Sequence, residues 1–239
     1  MRTNALGQPI GDPVPGWSPP PLPSDDPMEG RYARVERLDA PRHASELFEA
    51  NALDCDGRNW TYLSPEPFTS LDAYAAWVGD ISRGRDPLFH AIVDRATNRS
   101  AGIASYMRIS PEAGSIEVGH INFSPLLQGT RAATDAMYLM MRRAFALGYR
   151  RYEWKCDALN APSRRAAQRL GLSFEGIFRQ ALVYKGRNRD TAWYAAIDAE
   201  WPALEAAFET WLAPSNFDAA GRQRISLRQL TGPVLKAKG

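Results

Sequence analysis

The sequence predicts an α/β fold, on three observations. Seven segments carry the alternating or β-branched and aromatic patterns of strands, at 32–38, 88–93, 101–109, 115–123, 151–156, 174–185 and 191–197. Apolar residues at helical spacing recur between and after them. The middle of the chain then runs strand, phosphate-sized polar loop, long helix, strand, capped helix, strand.

The elements follow in order. Residues 1–28 hold eight of the 18 prolines and almost no apolar periodicity, so they predict an extended arm, disordered or laid across the surface or a partner subunit. After the first strand, Pro41 opens a helix that runs to residue 52. A second helix spans 68–81, capped by Thr69 or Ser70, with Leu71, Tyr74, Ala75, Trp77 and Val78 as its apolar face. Three antiparallel strands follow, with turns at 94–100 and 111–114. Pro125 ends the third, and 128–133 is a short polar loop. Ala133, Met137, Met140, Met141, Ala144 and Phe145 then recur as one helix face, which Gly148 stops. Asn160 caps the next helix, Pro162 fits its first turn, and Gly171 sits where a left-handed C-cap wants glycine. The last two strands form a hairpin around the polar residues 186–190. A helix at 200–212 and a tail at 214–239, with one strand at 224–230, complete the chain. The division is an arm (1–28), one domain (29–213) and a tail (214–239).

Composition bounds the function. The 239 residues suit one ordinary domain plus tails, and 44% hydrophobic content supplies a packed core. A net charge of +2 is too small to argue for nucleic acid. Cys55 and Cys156 make neither a disulfide framework nor a metal cluster, so no metal is expected, and Cys156 reads as a small core hydrophobe. No apolar run is long enough for a membrane span and no secretory segment is present, which predicts a soluble, cytoplasmic protein.

Two segments carry chemistry. Gln128-Gly129-Thr130-Arg131-Ala132-Ala133-Thr134-Asp135-Ala136 joins a strand to a helix, and Asn160-x-x-Ser163 opens a later helix whose first turn holds Arg164 and Arg165. A helix N-terminus is a natural anion site. With Phe174-Glu175-Gly176 in the strand that follows, these segments resemble the GNAT acyl-CoA N-acyltransferases, and in particular their Rim-type branch. That branch typically reads Gln-Gly-x-Gly-x-Ala-Thr-Glu-Ala in the donor loop, Asn-x-x-Ser in the helix and Phe-x-x-Glu-Gly in the strand. The likeness covers roughly residues 31–201. It implies a GNAT fold, with a mixed central sheet of about seven strands and helices on both faces. It also implies acetyl-CoA as donor substrate. One position departs: Arg131 stands where the family has its central glycine. Arg131 either faces outward or onto a phosphate with the loop's shape retained, or donor binding is weakened.

The resemblance distributes roles. Ile121, Asn122 and Phe123 would pair through their main chain with the pantetheine arm. Backbone N–H groups from Gln128 through Gly129, Thr130, Arg131, Ala132 and Ala133 would hold the pyrophosphate. Asn160 would bind the pantetheine region, and Ser163 would protonate or hydrogen-bond the leaving sulfur. Arg164 or Arg165 would meet a nucleotide phosphate. Glu117 is the first candidate for the base, through a water, followed by His120 and Asp157. Strand alternation sets Glu117 and His120 on opposite faces unless a bulge intervenes. Trp60 and Tyr62, between the first two helices, would wall the acceptor pocket.

Three functions fit. One is acetyl-CoA-dependent N-acetyl transfer directly to a primary amine at a protein or peptide N-terminus. Another is the same chemistry on a small amine such as an amino acid, polyamine or antibiotic. The third is a non-enzymatic CoA-binding module. The long arm and tail are compatible with a homodimer.

Overall fold

In the computed structural model, which describes residues 2–239, one eight-stranded sheet organises the chain. β1 (Arg2–Thr3) and β2 (Pro9–Ile10) form a separate exposed hairpin in the arm. β3 (Met28–Glu29) and β4 (Ala33–Arg37) begin the main sheet, followed by α1 (Ala40–Asn51) and α2 (Leu71–Ser82). β5 (Leu88–Asp94), β6 (Arg99–Ser110) and β7 (Ser115–Phe123) continue it, and α3 (Arg131–Ala146) crosses to β8 (Arg151–Asp157). After α4 (Ala161–Arg169) come β9 (Ser173–Tyr184), β10 (Arg187–Ile197), α5 (Trp201–Leu212) and α6 (Leu227–Thr231). The strand order is β3-β4-β5-β6-β7-β8-β10-β9. Every neighbouring pair is antiparallel except β7 with β8, which α3 joins in parallel.

Side-chain alternation on β5 divides the interior. Phe89 and Ala91 face a cluster with Leu47, Trp60, Tyr74 and Val78 from the α1–α2 side. Leu88 and Ile92 join the larger cluster built on Met137, Met140, Tyr152 and Phe208, under α3 and α5. Helices therefore cover both faces of the sheet. The caps follow sequence chemistry: Asp39 accepts from the Arg42 amide, Ser70 from the Ala73 amide and Thr130 from the Ala133 amide.

The arm lies along the domain from Trp17 onward, where the Trp17 ring packs against Gly114 and lies 5.5 Å from the Arg150 guanidinium. Pro20, Pro23 and Met28 are buried, Arg85 pairs with Asp25 at 2.6 Å, and Arg143 donates to the carbonyls of Asp26 and Pro27. Two local expectations are corrected. The 224–230 segment is not a strand; Ser226 and Gln229 form a reciprocal capping box that starts α6. The last hairpin turns more tightly than expected, on Lys185 and Gly186 alone, both with left-handed φ (48° and 68°). Residues 187–189 are therefore paired with β9, not loop, and Asp190 sits at a slip in the register.

Asp135 fixes α3 to the sheet. Its buried carboxylate accepts from the Tyr32 amide at 2.6 Å and the Ala33 amide at 3.0 Å. Asp135→Ala leaves both amides unpaired and is expected to lower unfolding free energy by about 2–3 kcal/mol in urea denaturation.

Candidate functional site

The site lies where two paired strands part. β7 and β8 are in register from Ser115–Arg151 to Val118–Trp154, and the pairing stops there. Beyond it Gly119–Phe123 and Lys155–Asp157 separate. Two cavities open into the gap, one of about 510 Å³ under the start of α3 and one of about 240 Å³ on the other side. Both are lined by Asn59, Tyr62, Ile121, Trp154, Asn160 and Ser163. The two openings therefore meet at these side chains.

The larger cavity collects most of the expected donor residues. Ile121, Asn122, Phe123, Gln128, Gly129 and Ala133 line it, with Asn160 and Ser163 at its inner end. The amides of Gly129, Arg131 and Ala132 have no acceptor within the protein, because Thr130 caps only the Ala133 amide. They are available to an anion at the α3 N-terminus. Gln128 braces the loop instead of facing a phosphate with its side chain; its Nε2 donates to Asn59 Oδ1 and to the Phe123 carbonyl, both at 2.8 Å. Asn122 is buried, yet neither its Oδ1 nor its Nδ2 has a partner. A buried amide left unpaired on a cavity wall is a signature of a ligand-binding position. The residues present thus fit a donor with a polar pantetheine chain and phosphates.

Arg131 turns away from this cavity. Its guanidinium stacks 3.9 Å from the Phe217 ring centre and 5.5 Å from Tyr32, and donates to the Gly221 carbonyl. The loop keeps a helix N-terminus because an arginine at the first helical position needs only ordinary helical dihedrals. Arg165 is exposed and lines neither cavity, while Arg164 is held by the Ala158 carbonyl and the Tyr194 hydroxyl. Arg169 was not anticipated. It lines the donor cavity, reaches Thr134 Oγ1 at 3.2 Å, and burial lowers its basicity. Helical spacing from Ser163 through Ala166 to Arg169 and Leu170 is the signal that could have found it.

The smaller cavity holds the candidate bases together. Glu117 and His120 both line it, although alternation alone separates them. A β-bulge reconciles the two: pairing with β6 slips between Ile103–Asn122 and Ser105–Gly119, and His120 adopts φ 48°. Its Nδ1 lies 3.1 Å from Ser105 Oγ, whose hydroxyl donates to the Gly119 carbonyl. With that hydroxyl donating to Gly119, its oxygen can accept from Nδ1–H, the tautomer that leaves Nε2 with a free lone pair. Burial, then the positive charges of Arg108 and Arg189, hold the imidazole below its ordinary pKa. Glu117 is engaged by Arg108 Nη1 and Lys155 Nζ, each at 2.8 Å. Asp157 accepts from the Tyr184 hydroxyl at 2.9 Å.

Ser163 stands at the junction. Its Oγ accepts from Trp154 Nε1 at 2.9 Å, so its own hydrogen stays available. Asn160 caps α4 by accepting from the Ser163 amide. Cys156, read from sequence as a core residue, is buried but lines the smaller cavity; burial pushes its thiol pKa up. Tyr62 lines both cavities and donates to the Leu159 carbonyl. Trp60 does not wall either one. Its ring packs edge-on against Phe68 and Trp77 in the α1–α2 core, because the short helical turn at Arg58–Trp60 directs it inward. Among the described residues there is no helix long and apolar enough to cross a membrane, and no group of three or more side chains able to hold a metal.

Comparison with known proteins matches this geometry to a family. Residues 36–173 match the family model described as "Acetyltransferase (GNAT) domain". This chain belongs to the GNAT acetyltransferase family. A GCN5-related N-acetyltransferase from Brucella melitensis is 46% identical, with a TM-score of 0.89 over 92% of this chain and 100% of that one. A probable GNAT acetyltransferase from Chromobacterium violaceum is 38% identical, with a TM-score of 0.76 over 82% of this chain and 98% of that one. The ribosomal-protein acetyltransferase RimL, solved with coenzyme A, shares the fold at 21% identity and a TM-score of 0.61, over 73% of this chain and 99% of that one. A search of curated proteins gave no match. The GNAT assignment makes the protein an acetyltransferase enzyme, and the gap between β7 and β8 is the part of the GNAT fold that its candidate site occupies.

Two measurements check this site. Arg131→Ala is expected to change CoA affinity less than about twofold by calorimetry, while lowering stability by about 1 kcal/mol through the lost stacking on Phe217. The ring resonances of His120, followed by NMR, are expected to titrate below the ordinary value of about 6.5, and Arg108→Gln is expected to raise that midpoint.

Proposed function

We propose that this GNAT protein transfers an acetyl group from acetyl-CoA directly to a primary amine, at the N-terminus of a protein or peptide. The observation that carries the reading is the meeting of two cavities at Ser163. The donor residues lie on one side of it and His120 on the other.

The residues divide the work as follows. Gly129 and the Arg169 guanidinium, which line the donor cavity, bind the pyrophosphate end of the donor together with the free amides of Arg131 and Ala132 at the α3 N-terminus, whose residues border a neighbouring pocket. Asn122 and Asn160 hydrogen-bond the pantetheine chain, and Ile121, Met137 and Leu170 pack against it. Holding amine and thioester together supplies much of the rate, of the order of 7–11 kcal/mol in well-oriented systems. The amine nitrogen attacks the thioester carbon, and its proton passes to Nε2 of His120. The carbon–sulfur bond breaks, and the Ser163 hydroxyl donates to the departing sulfur. Glu117 keeps Arg108 and Lys155 in place beside the imidazole. That assignment prefers His120 over Glu117 as base, since Glu117 already carries two cations.

A small free amine is the second reading. The acceptor cavity of about 240 Å³ is compact, and that size favours an acceptor of one or two residues' bulk. A screen of peptides and small amines with acetyl-CoA, reading released thiol, separates the two.

Ser163→Ala is expected to reduce kcat about a hundredfold while leaving the CoA dissociation constant nearly unchanged. Unaltered turnover would remove Ser163 from the mechanism.

A further inference from the structure

Arg189 belongs to the polar run 186–190 that sequence patterning placed in a turn, and the fold puts it elsewhere. It lies on β10 opposite Leu182 of β9, and both line the acceptor cavity. A bulge in β9 lies opposite it, and plain alternation along β10 sets Arg189 on the same face as Thr191. Register slips between Arg189 and Thr191 because β9 carries the extra residues, where Gln180 takes φ 51°, and the neighbouring Asp190 turns its carboxylate to that bulge. The Asp190 carboxylate accepts from the Gln180 amide at 2.8 Å and from Asn188 Nδ2 at 3.0 Å, and its carbonyl accepts from the Ala158 amide at 2.8 Å.

The charges on this cavity do not all cancel locally. Glu117 is committed to Arg108 and Lys155, and Lys155 also holds Glu153 at 2.7 Å. Asp157 is occupied by the Tyr184 hydroxyl and the Leu159 amide. Arg189 alone keeps its fork open. Its Nε donates to Thr191 Oγ1 at 3.2 Å, and among the described residues its terminal nitrogens have no acceptor and no ion-pair partner. A half-buried guanidinium with its two-pronged edge free matches the geometry of a carboxylate.

Resting on the transfer reading above, we propose that the acceptor is an amine that also carries a carboxylate, which Arg189 binds while the nitrogen lies at His120. The carboxylate comes either from an acidic side chain near a peptide N-terminus or from a free amino acid. The test uses the full chain with saturating acetyl-CoA and two matched pairs of acceptors. One pair is a Ser-Asp-Glu-Ala peptide amide and its Ser-Asn-Gln-Ala counterpart. The other is a free amino acid and its amide.

The quantity read is the ratio of kcat/KM within each pair, compared between wild type and Arg189→Gln. Differences in amine basicity are common to both enzymes, and any loss of folded enzyme is common to both members of a pair, so both cancel. In at least one pair the ratio is expected to fall about tenfold or more in Arg189→Gln, mainly through KM, with partial recovery in Arg189→Lys. The responding pair identifies the source of the carboxylate. Ratios unchanged by Arg189→Gln in both pairs would overturn the inference and leave acetyl transfer standing. No thiol release with any of the four acceptors overturns it too; if acetyl-CoA also gives no thermal stabilisation, the transfer reading falls with it.

Discussion

The structure depends on β7 and β8 pairing for only four residues and then parting. Parallel strands joined by a helical crossover normally stay in register, since each unpaired backbone group in a dry interior costs free energy. Here the separation is sustained on both sides. β7 keeps its bonds to β6 through the bulge at His120, while β8 keeps its bonds to β10 as far as Asp157. Neither strand needs the other beyond Val118 and Trp154. The gap can therefore hold a substrate chain without leaving the sheet unsupported, and α3 and α4 aim their first turns at it.

Electrostatics around the gap are arranged in the same way. Lys155 sits between Glu117 and Glu153 and lies 3.8 Å from the centre of the Trp193 ring, so a buried ammonium is surrounded by compensating groups. Removing one member of such a network would strand a charge in a poorly solvated place. The network's value lies in what it does to its neighbours. It holds Arg108 beside His120, and the positive charge of Arg108 adds to burial in lowering the imidazole's pKa. Each long hairpin also carries a bulge. One at His120 brings that ring to the same cavity as Glu117, and one in β9 at Gln180 lies opposite the stretch of β10 that carries Arg189.

The C-terminal tail stabilises the donor side from outside. Phe217 receives the Arg131 guanidinium, α6 packs on α5 and α4, and Thr231 donates to the Arg169 carbonyl. The substitution of arginine for the family's glycine is thus paired with a tail that accepts it. The loop's amides remain free because the side chain leaves in the opposite direction.

Much of this was legible in local pattern. The seven strands, the long helix after the polar loop and the Asn160 cap each follow from alternation, helical spacing or cap chemistry within a few residues, so the sequence by itself determined the α/β class and the donor-loop and α4 segments. Other features required pairing partners distant in the chain. Strand alternation set Glu117 and His120 apart, and only the slipped register against β6 brings them to one cavity. Trp60 looked like a pocket wall until Phe68 and Trp77 enclosed it. Arg165 and Arg169 are the same residue type four positions apart, and their different exposure depends on what α4 packs against. The direction of Arg131 depended on Phe217, a residue 86 positions further along. Local propensity decides which elements form. Bulges, side-chain directions and the charges left unpaired are decided by packing between elements, because each is set by the partner across the sheet or across the core.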